Sequence, residues 1–159
     1  MLVSTGGAGL DGVLVTDLNA SKGIDVSGAK LTLSDGTVIS GGTMTVEATA
    51  GSTVVVTAGA AADLATASGA TLTGVTVTDS NTSTGGGIEV SGGVLTLNGS
   101  SDIIGGGTGT LVIDSGSQLV VNGAATLDGL IVDDDTTSVG TPGIDVSGAT
   151  LTLKDNTQI

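Results

Sequence analysis

The sequence predicts an all-β fold: a single-stranded parallel β-helix, or β-solenoid, with coils of about 17–20 residues. One motif recurs three times, short runs of alternating apolar and polar residues fill most of the chain, and glycine-containing turns separate these runs. Runs of this kind form strands, and each coil stacks on the next at about 4.8 Å with parallel pairing. About eight such coils would form a rod on the order of 40 Å long.

The recurring motif starts at three glycines: Gly23, Gly87 and Gly143. Its first copy reads Gly-Ile-Asp-Val-Ser-Gly-Ala-Lys-Leu-Thr-Leu, and the other two copies closely follow it. A segment of the form Leu-x-Gly-x-x-Val-x-Asp precedes each copy and starts at Leu10, Leu72 and Leu127. We therefore interpret residues 1–159 as one β-solenoid fragment. Its repeats span about 10–71, 72–126 and 127–159, and the chain ends within the third repeat.

Successive copies of the motif are not equally spaced. The second copy starts 64 residues after the first, whereas the third starts 56 residues after the second. The additional residues lie mainly in the alanine-rich stretch 60–67, which we predict to be an insertion loop.

Alternation within the motif predicts which side chains form the core. Ile24 and Val26 should point inward and Asp25 outward, because neighbouring residues of a strand face opposite sides of a sheet. With coils of about 17–20 residues, the equivalent acids Asp25, Glu89 and Asp145 would lie three coils, or about 14 Å, apart. This separation is too large for a catalytic pair of carboxylates.

An antiparallel β-sandwich is the alternative fold, since it also consists of short strands separated by turns. The cores of sandwiches usually contain aromatic side chains, and this sequence has none. A sandwich also gives no reason for a coil length that recurs along the chain. The composition therefore favours the solenoid.

Composition and charge exclude several classes of function. The chain has 16 acidic residues, three lysines and no arginine, histidine or cysteine, and its formal net charge is -13. Nucleic acid is not an expected partner, because binding it requires clustered Lys and Arg side chains. No apolar run reaches the roughly 18 residues of a membrane helix, so we expect no membrane span in this segment.

We predict no catalytic residue and no cofactor-binding residue, and therefore no enzyme. General acid–base catalysis needs a titrating group held at a suitable pKa, and the chain offers carboxylates without histidine, arginine or tyrosine. The glycine pattern at 7–12 matches a dinucleotide-binding fingerprint. However, the strand-like Val13-Leu14-Val15 follows it, where that fingerprint requires a helix.

Calcium is the metal that the sequence favours. Asp133, Asp134 and Asp135 form the densest acidic cluster, and Thr136 and Thr137 follow it directly. Calcium binds six to eight oxygen ligands, several of them from carboxylates, so the three aspartates are its candidate ligands. The alternative interpretation is a solvated acidic loop that keeps the protein soluble.

The repeat resembles the repeat regions of large bacterial surface proteins. The pattern is Gly-Ile-Asp-Val-Ser-Gly-Ala-x-Leu-Thr-Leu, then Gly-x-x-Ile and Gly-Gly-x-x-x-Val, and the similarity extends over residues 10–159. Proteins with such repeats are autotransporter passengers and filamentous-haemagglutinin-like adhesins, which are right-handed parallel β-helices. The resemblance implies right-handed coils, a secreted or cell-surface location, and a role in adhesion or biofilm formation.

The resulting expectation is a structural or adhesive segment that acts as a rigid stalk or spacer. Its partners would be neighbouring repeats of the same longer chain and a host surface or glycan. The alternative is a surface module that binds calcium or a glycan through its loops. Unpaired coil edges at both ends also predict end-to-end association, or fraying, of the isolated segment.

Overall fold

The computed structural model describes residues 1–19, 21, 23–59, 69–83, 86–137 and 143–159. The regular elements in these ranges are all β-strands, which confirms the all-β prediction. Among the described residues, no helical segment has the length and apolarity that a membrane crossing requires.

Most of the strands contain three to five residues. In chain order they are β1 Leu2–Val3, β2 Ala8–Asp11, β3 Leu14–Thr16, β4 Ile24–Val26, β5 Lys30–Ser34, β6 Thr37–Ser40, β7 Thr43–Val46, β8 Thr53–Val56, β9 Gly69–Thr73, β10 Thr76–Asp79, β11 Gly87–Val90, β12 Val94–Asn98, β13 Ser101–Ile113, β14 Gln118–Val121, β15 Ala124–Asp134, β16 Ile144–Val146 and β17 Thr150–Lys154. The strands β13 and β15 are longer because each turns a corner and contributes to two faces.

The strands form three parallel ladders, one on each face of the solenoid. Ladder 1 contains β1, β4, β7, β10, residues 101–104, residues 124–128 and β17. Ladder 2 contains β2, β5, β8, β11, residues 109–113 and residues 130–134. Ladder 3 contains β3, β6, β9, β12, β14 and β16. All pairings of the described strands are parallel, so the predicted parallel β-solenoid is confirmed, with about six turns.

The predicted coil length of 17–20 residues is too short for most coils. Asp25 pairs with Thr45, a step of 20 residues, but Leu2 pairs with Asp25 and Thr78 with Ile104, and most coils take about 23 to 26 residues. Coils of 17–20 residues would give three coils to each long repeat, whereas the repeat spans only about two and a third. Six spacings of about 4.8 Å give a rod about 30 Å long instead of 40 Å.

The sequence repeat and the coil therefore have different periods. Between Ile24 in β4 and its equivalent Ile88 in β11 the chain advances by seven strand positions, and it advances by seven more to Ile144 in β16. Because one coil holds three strand positions, each copy of the motif moves on by one face. The motif lies on ladder 1 in the first copy, ladder 2 in the second and ladder 3 in the third.

This rotation corrects the predicted placement of the repeated acids. Asp25, Glu89 and Asp145 do not lie above one another on one face, three coils apart. They lie on three different faces, and successive copies are about 11 Å apart along the axis. The structure therefore does not bring these carboxylates together.

Inward-pointing Val, Leu and Ile side chains fill the centre of the rod. Ile24 and Val26 are buried and Asp25 between them is partly exposed, as predicted. Leu31 and Leu33 alternate with Thr32 in the same way. Because side chains of successive coils stack on one another, a single apolar core runs along the axis and supplies the main driving force for folding.

The predicted insertion loop at 60–67 lies outside the described residues. The strands on either side of it remain in the ladders, since β8 ends at Val56 and β9 begins at Gly69. Thr45 pairs with Thr78 across this stretch, a step of 33 positions, compared with 26 positions from Thr78 to Ile104. The additional length is therefore accommodated without interrupting ladder 1.

A hydroxyl group closes one corner of each repeat. The Thr37 hydroxyl lies 2.8 Å from the carbonyl oxygens of Ser34, in its own turn, and Leu10, in the preceding coil. It also accepts a hydrogen bond from the Val13 N–H at 3.4 Å. Between Leu10 and Val13 the chain turns at Gly12, whose φ of 61° is left-handed and favours glycine. The hydroxyl thus holds a tight turn of one coil against the next.

The same contacts recur at Ser101 and Thr157. The Ser101 hydroxyl donates to the Asn98 and Leu72 carbonyl oxygens at 2.7 and 3.0 Å. The Thr157 hydroxyl donates to the carbonyl oxygens of Lys154 and Leu127 at 2.8 and 3.0 Å. Thr37, Ser101 and Thr157 therefore form a set of hydroxyl staples that follows the sequence repeat from corner to corner.

Candidate functional site

Each repeat places an aspartate at the end of a strand, where a polar connection leads into the motif. These residues are Asp17, Asp79 and Asp134. In each, Oδ1 accepts a hydrogen bond from the backbone N–H two residues later, at 2.8, 2.9 and 3.0 Å respectively. This arrangement is an Asx turn, which fixes the direction in which the chain leaves the strand.

Asp79 is the buried member of this set. Its Oδ1 accepts a hydrogen bond from the Asn81 N–H, and its Oδ2 accepts one from the Thr110 N–H, both at 2.9 Å. Because Thr110 belongs to the next coil, the carboxylate joins two coils at the corner between ladders 1 and 2. Burial raises the pKa of the Asp79 carboxyl above its ordinary value, and the two backbone hydrogen bonds partly oppose that rise.

Asn81 extends this network towards the preceding coils. Its Nδ2 donates to the Ser52 carbonyl oxygen at 2.6 Å. The Ser52 hydroxyl in turn accepts a hydrogen bond from the Gly28 N–H at 2.8 Å and donates to the Thr49 carbonyl oxygen at 2.7 Å. Together with Thr110, these residues connect four successive coils along one corner.

The chemistry of this network serves the fold. Asp79, Asn81 and Ser52 are turned into the corner and away from solvent, where their polar atoms bind backbone groups of neighbouring coils. Gly109 makes room for the carboxylate, since a Cβ at this position would lie 2.9 Å from Asp79 Oδ2. A buried polar column of this kind holds the coils in one register.

A groove of about 410 Å³ lies on the outer face of ladder 2, beside this corner. Two neighbouring strands form its floor with the side chains of Thr110, Val112, Ile131 and Asp133. Residues 82–83 and 107–108 form its rim. The groove therefore presents hydroxyl groups, two apolar side chains and one carboxylate.

The three predicted calcium ligands lie at the end of β15 and directly after it. Asp133 lines the groove, whereas the Asp134 side chain leaves the strand on the opposite side. The N–H and hydroxyl of Thr136 both donate to Asp134 Oδ1. In the part of the chain that the structure describes, no three acidic, His or Cys side chains group as a metal site would require. Asp133, Asp134 and Asp135 remain predicted calcium ligands.

The buried network around Asp79 and the groove beside it were not predicted from the sequence. A signal for the network was present, because Asp-x-Asn-x-Ser occurs at 17–21 and again at 79–83. The groove had no such signal, since its floor combines residues from two strands whose pairing depends on the true coil length.

The chain matches no described protein family, no curated protein and no solved structure. Its function must therefore be inferred from its own fold and surface.

Proposed function

We propose that the chain is a rigid stalk or spacer segment of a secreted or cell-surface protein, with a role in adhesion or biofilm formation. The observation that most supports this proposal is the continuity of the three parallel ladders from the first coil to the last. A bending load on such a rod is distributed over three rows of backbone hydrogen bonds and one continuous core. The proposed mechanism is mechanical and requires no catalytic group.

Two further features agree with a spacer at a cell surface. The outward side chains of the strands are mostly Thr, Ser and Asp, and with a net charge of -13 they keep the rod hydrated. Neighbouring repeats of a longer chain would extend the rod by about 11 Å for each additional repeat. The segment then projects another part of its protein away from the cell.

A length series tests the spacer function. One or two further copies of residues 72–126, inserted before Leu127, should lengthen the rod by about 11 Å per copy. Small-angle X-ray scattering measures this increment, and bacteria that display each chain through an unrelated anchor provide the adhesion assay. An increment of several times this length would show that the added repeat does not coil, and would contradict the proposal. Adhesion no greater than that of the anchor alone would remove the adhesive role.

The groove on ladder 2 favours a second candidate function, the binding of a glycan. Hydroxyl groups and the Asp133 carboxylate can hydrogen-bond to a sugar, while Val112 and Ile131 can pack against its apolar face. In a glycan array, Asp133→Asn should abolish binding. The matched variant Asp145→Asn changes an outward acid on ladder 3 and should leave binding unchanged. Equal binding by both variants and the parent chain would exclude the groove.

A further inference from the structure

We propose that two copies of this chain pack side by side through the outer faces of ladder 3, with their rods antiparallel. In the six described strands of ladder 3, one outward side chain is charged, Asp145 on β16. The other five strands present uncharged side chains, although the chain has 16 acidic residues. Because acidic surfaces repel each other, ladder 3 is the face through which two copies of this chain can come into contact.

Repeat-equivalent positions show that charge is distributed by face. Asp11 on ladder 2 and Asp128 on ladder 1 occupy the same position of the repeat, and the copy on ladder 3 is Thr73. Asp102 on ladder 1 corresponds in the same way to Val38 on ladder 3. At these positions the charged copies lie on ladders 1 and 2, and the copy on ladder 3 is uncharged. Three more pairs of a charged residue and its uncharged ladder 3 equivalent are Lys30 and Val94, Asp133 and Thr16, and Lys154 and Asn98.

The uncharged part of this face consists of two columns of side chains that run along the rod. The register of the strands places the outward side chains of successive coils above one another, and all of them are exposed or partly exposed. In the first column every side chain carries a methyl group: Leu14, Val38, Thr71, Thr96 and Val120. In the second column every side chain carries a hydroxyl or an amide: Thr16, Ser40, Thr73, Asn98 and, directly after β14, Asn122.

Antiparallel pairing brings like columns together. A two-fold axis that lies in the interface, parallel to the strands and between β9 and β12, turns each column onto its own kind. Val38 then faces Val120 of the second copy, and Ser40 faces Asn122 of the second copy, so that a hydroxyl lies opposite an amide. Parallel rods would instead place the methyl column of each copy against the polar column of the other. The arrangement of the two columns therefore favours the antiparallel pair.

The size of the face determines how strong this contact is. Six strands about 4.8 Å apart, each with about four residues of 3.3 Å, cover about 400 Å² on each copy. The two faces together bury about 800 Å², less than the roughly 1,200 Å² at which stable interfaces begin. The pair should therefore be weak and transient, and should form at protein concentrations towards about 1 mM.

Electrostatic repulsion opposes the contact from outside the face. Each copy carries a net charge of -13, and Asp17, Asp35 and Asp114 lie at the corners beside ladder 3. Salt shortens the screening length from about 10 Å at 0.1 M to about 3 Å at 1 M. Association should therefore become stronger as salt is added, the opposite of what pairing between opposite charges would produce.

Sedimentation velocity at protein concentrations up to about 1 mM tests the proposal. Thr73→Asp places a charge in the centre of the contact and should weaken association by at least about tenfold. Thr78→Asp adds the same charge to the outer face of ladder 1 and should associate like the parent chain. The fold already accommodates an aspartate at the repeat equivalents of both residues, Asp128 and Asp133. A parent chain that stays monomeric in both 0.1 M and 1 M NaCl, or equal losses in the two variants, would overturn the proposal.

Removing the charge that ladder 3 does carry provides a test in the opposite direction. Asp145→Asn should strengthen association by about threefold or more, because the charge lies at the edge of the contact. Asp25→Asn removes the repeat-equivalent charge from ladder 1, lowers the net charge by the same amount, and should change association less. The same gain in both variants would show that net charge alone controls association, and would contradict a contact through ladder 3.

Chemical cross-linking tests the antiparallel orientation, since the chain has no cysteine of its own. Ser40→Cys and Asn122→Cys chains are mixed in equal amounts and treated with a short bis-maleimide. In the antiparallel pair, these two positions face each other across about 10 Å, whereas two copies of the same position lie about 18 Å apart. Mass spectrometry should therefore find mainly dimers that contain one chain of each kind. Dimers of two identical chains would show parallel pairing, and unlinked chains would show that the faces do not meet. Either result would overturn the proposal.

Discussion

Single buried polar groups hold individual corners of the coil together. The hydroxyl staples and the Asp79 network each connect a turn to a neighbouring coil, at sites where a backbone group would otherwise be buried without a partner. A buried donor or acceptor that loses its partner costs about 1–3 kcal/mol, more than the net gain from a typical hydrogen bond. Substitutions at these residues should therefore weaken the fold more than their small size suggests.

The hydroxyl staples offer a matched pair of substitutions. Thr37→Val keeps the shape of a fully buried side chain but removes the group that bridges Ser34 and Leu10, and should lower the free energy of unfolding by about 1–3 kcal/mol. Thr157→Val removes the equivalent hydroxyl in the last, partly exposed coil, where water can replace it, and should cost less than about 1 kcal/mol. Urea unfolding followed by circular dichroism measures both losses. Equal losses in the free energy of unfolding for the two variants would contradict the claim that burial makes the Thr37 hydroxyl the more costly one to remove.

The raised pKa of the Asp79 carboxyl gives its stability contribution a defined pH dependence. The folded state holds the proton more tightly than the unfolded chain, whose carboxyl has the ordinary pKa of 3.8. The contribution is therefore largest at and below that ordinary pKa, and it is lost as the pH rises through the higher folded pKa. Burial of the charged form is the cause.

Asp79→Asn tests this sign. The stability advantage of the parent chain over the variant should be greatest near pH 4 and should shrink towards pH 7. Ser52→Ala removes a group of the same network that does not titrate, so its cost should not follow this trend. Thermal melts between pH 4 and pH 7 provide the comparison. An advantage that grows towards neutral pH would show that the folded pKa is not raised.

The calcium hypothesis makes a simple prediction for the acidic cluster. If Asp133, Asp134 and Asp135 bind calcium, millimolar calcium should raise the Tm above its value in a chelator, because a ligand bound by the native state stabilises it. The triple substitution of these residues to Asn should abolish the increase. A Tm unchanged by calcium in the parent chain would remove the hypothesis.

At the scale of single elements, the alternation of the motif was sufficient to predict strand faces. Ile24, Val26, Leu31 and Leu33 are inward as expected, because the two-residue period of a strand is a local property of the sequence. The number of strands in a coil is not local. It depends on the angle of every corner, which left-handed glycines and hydroxyl staples determine, and so the coil length could not be derived from the repeat length.

Two glycines in or beside strands should respond oppositely to substitution. At Gly23, a Cβ would overlap the carbonyl oxygen of Thr43 in the next coil, so Gly23→Ala should separate the two strands and cost about 1–3 kcal/mol. At Gly9, nothing lies within 4 Å of the Cβ position. Gly9→Ala should therefore raise the free energy of unfolding by about 0.4–1 kcal/mol, because alanine lowers the conformational entropy of the unfolded chain. Urea unfolding of the two variants measures both changes. A stabilising Gly23→Ala would contradict the close contact between coils.

At the scale of the whole molecule, the sequence repeat and the coil have different periods, and this difference decides where each repeated residue lies on the rod. A residue of the repeat returns to the same face only after three repeats, because a repeat holds seven strand positions and a coil holds three. A group carried by every repeat is therefore displayed around the rod instead of in a row along one face. For this reason, the three copies of the motif form no common site, although their recurrence in the sequence suggests one shared surface.

The register of the coils is the central claim, and disulfide cross-linking tests it most directly because the chain has no cysteine of its own. In ladder 1, Ile104 is the direct partner of Asp128, so their Cα atoms should lie about 4.8 Å apart, within disulfide range. The double variant Ile104→Cys/Asp128→Cys should therefore oxidise to an intramolecular disulfide, identified by the intact mass of the monomer fraction. Ile104→Cys/Asn122→Cys has the spacing of an 18-residue coil and should keep both thiols free. Cross-linking of the second pair but not the first would contradict the three-strand coil.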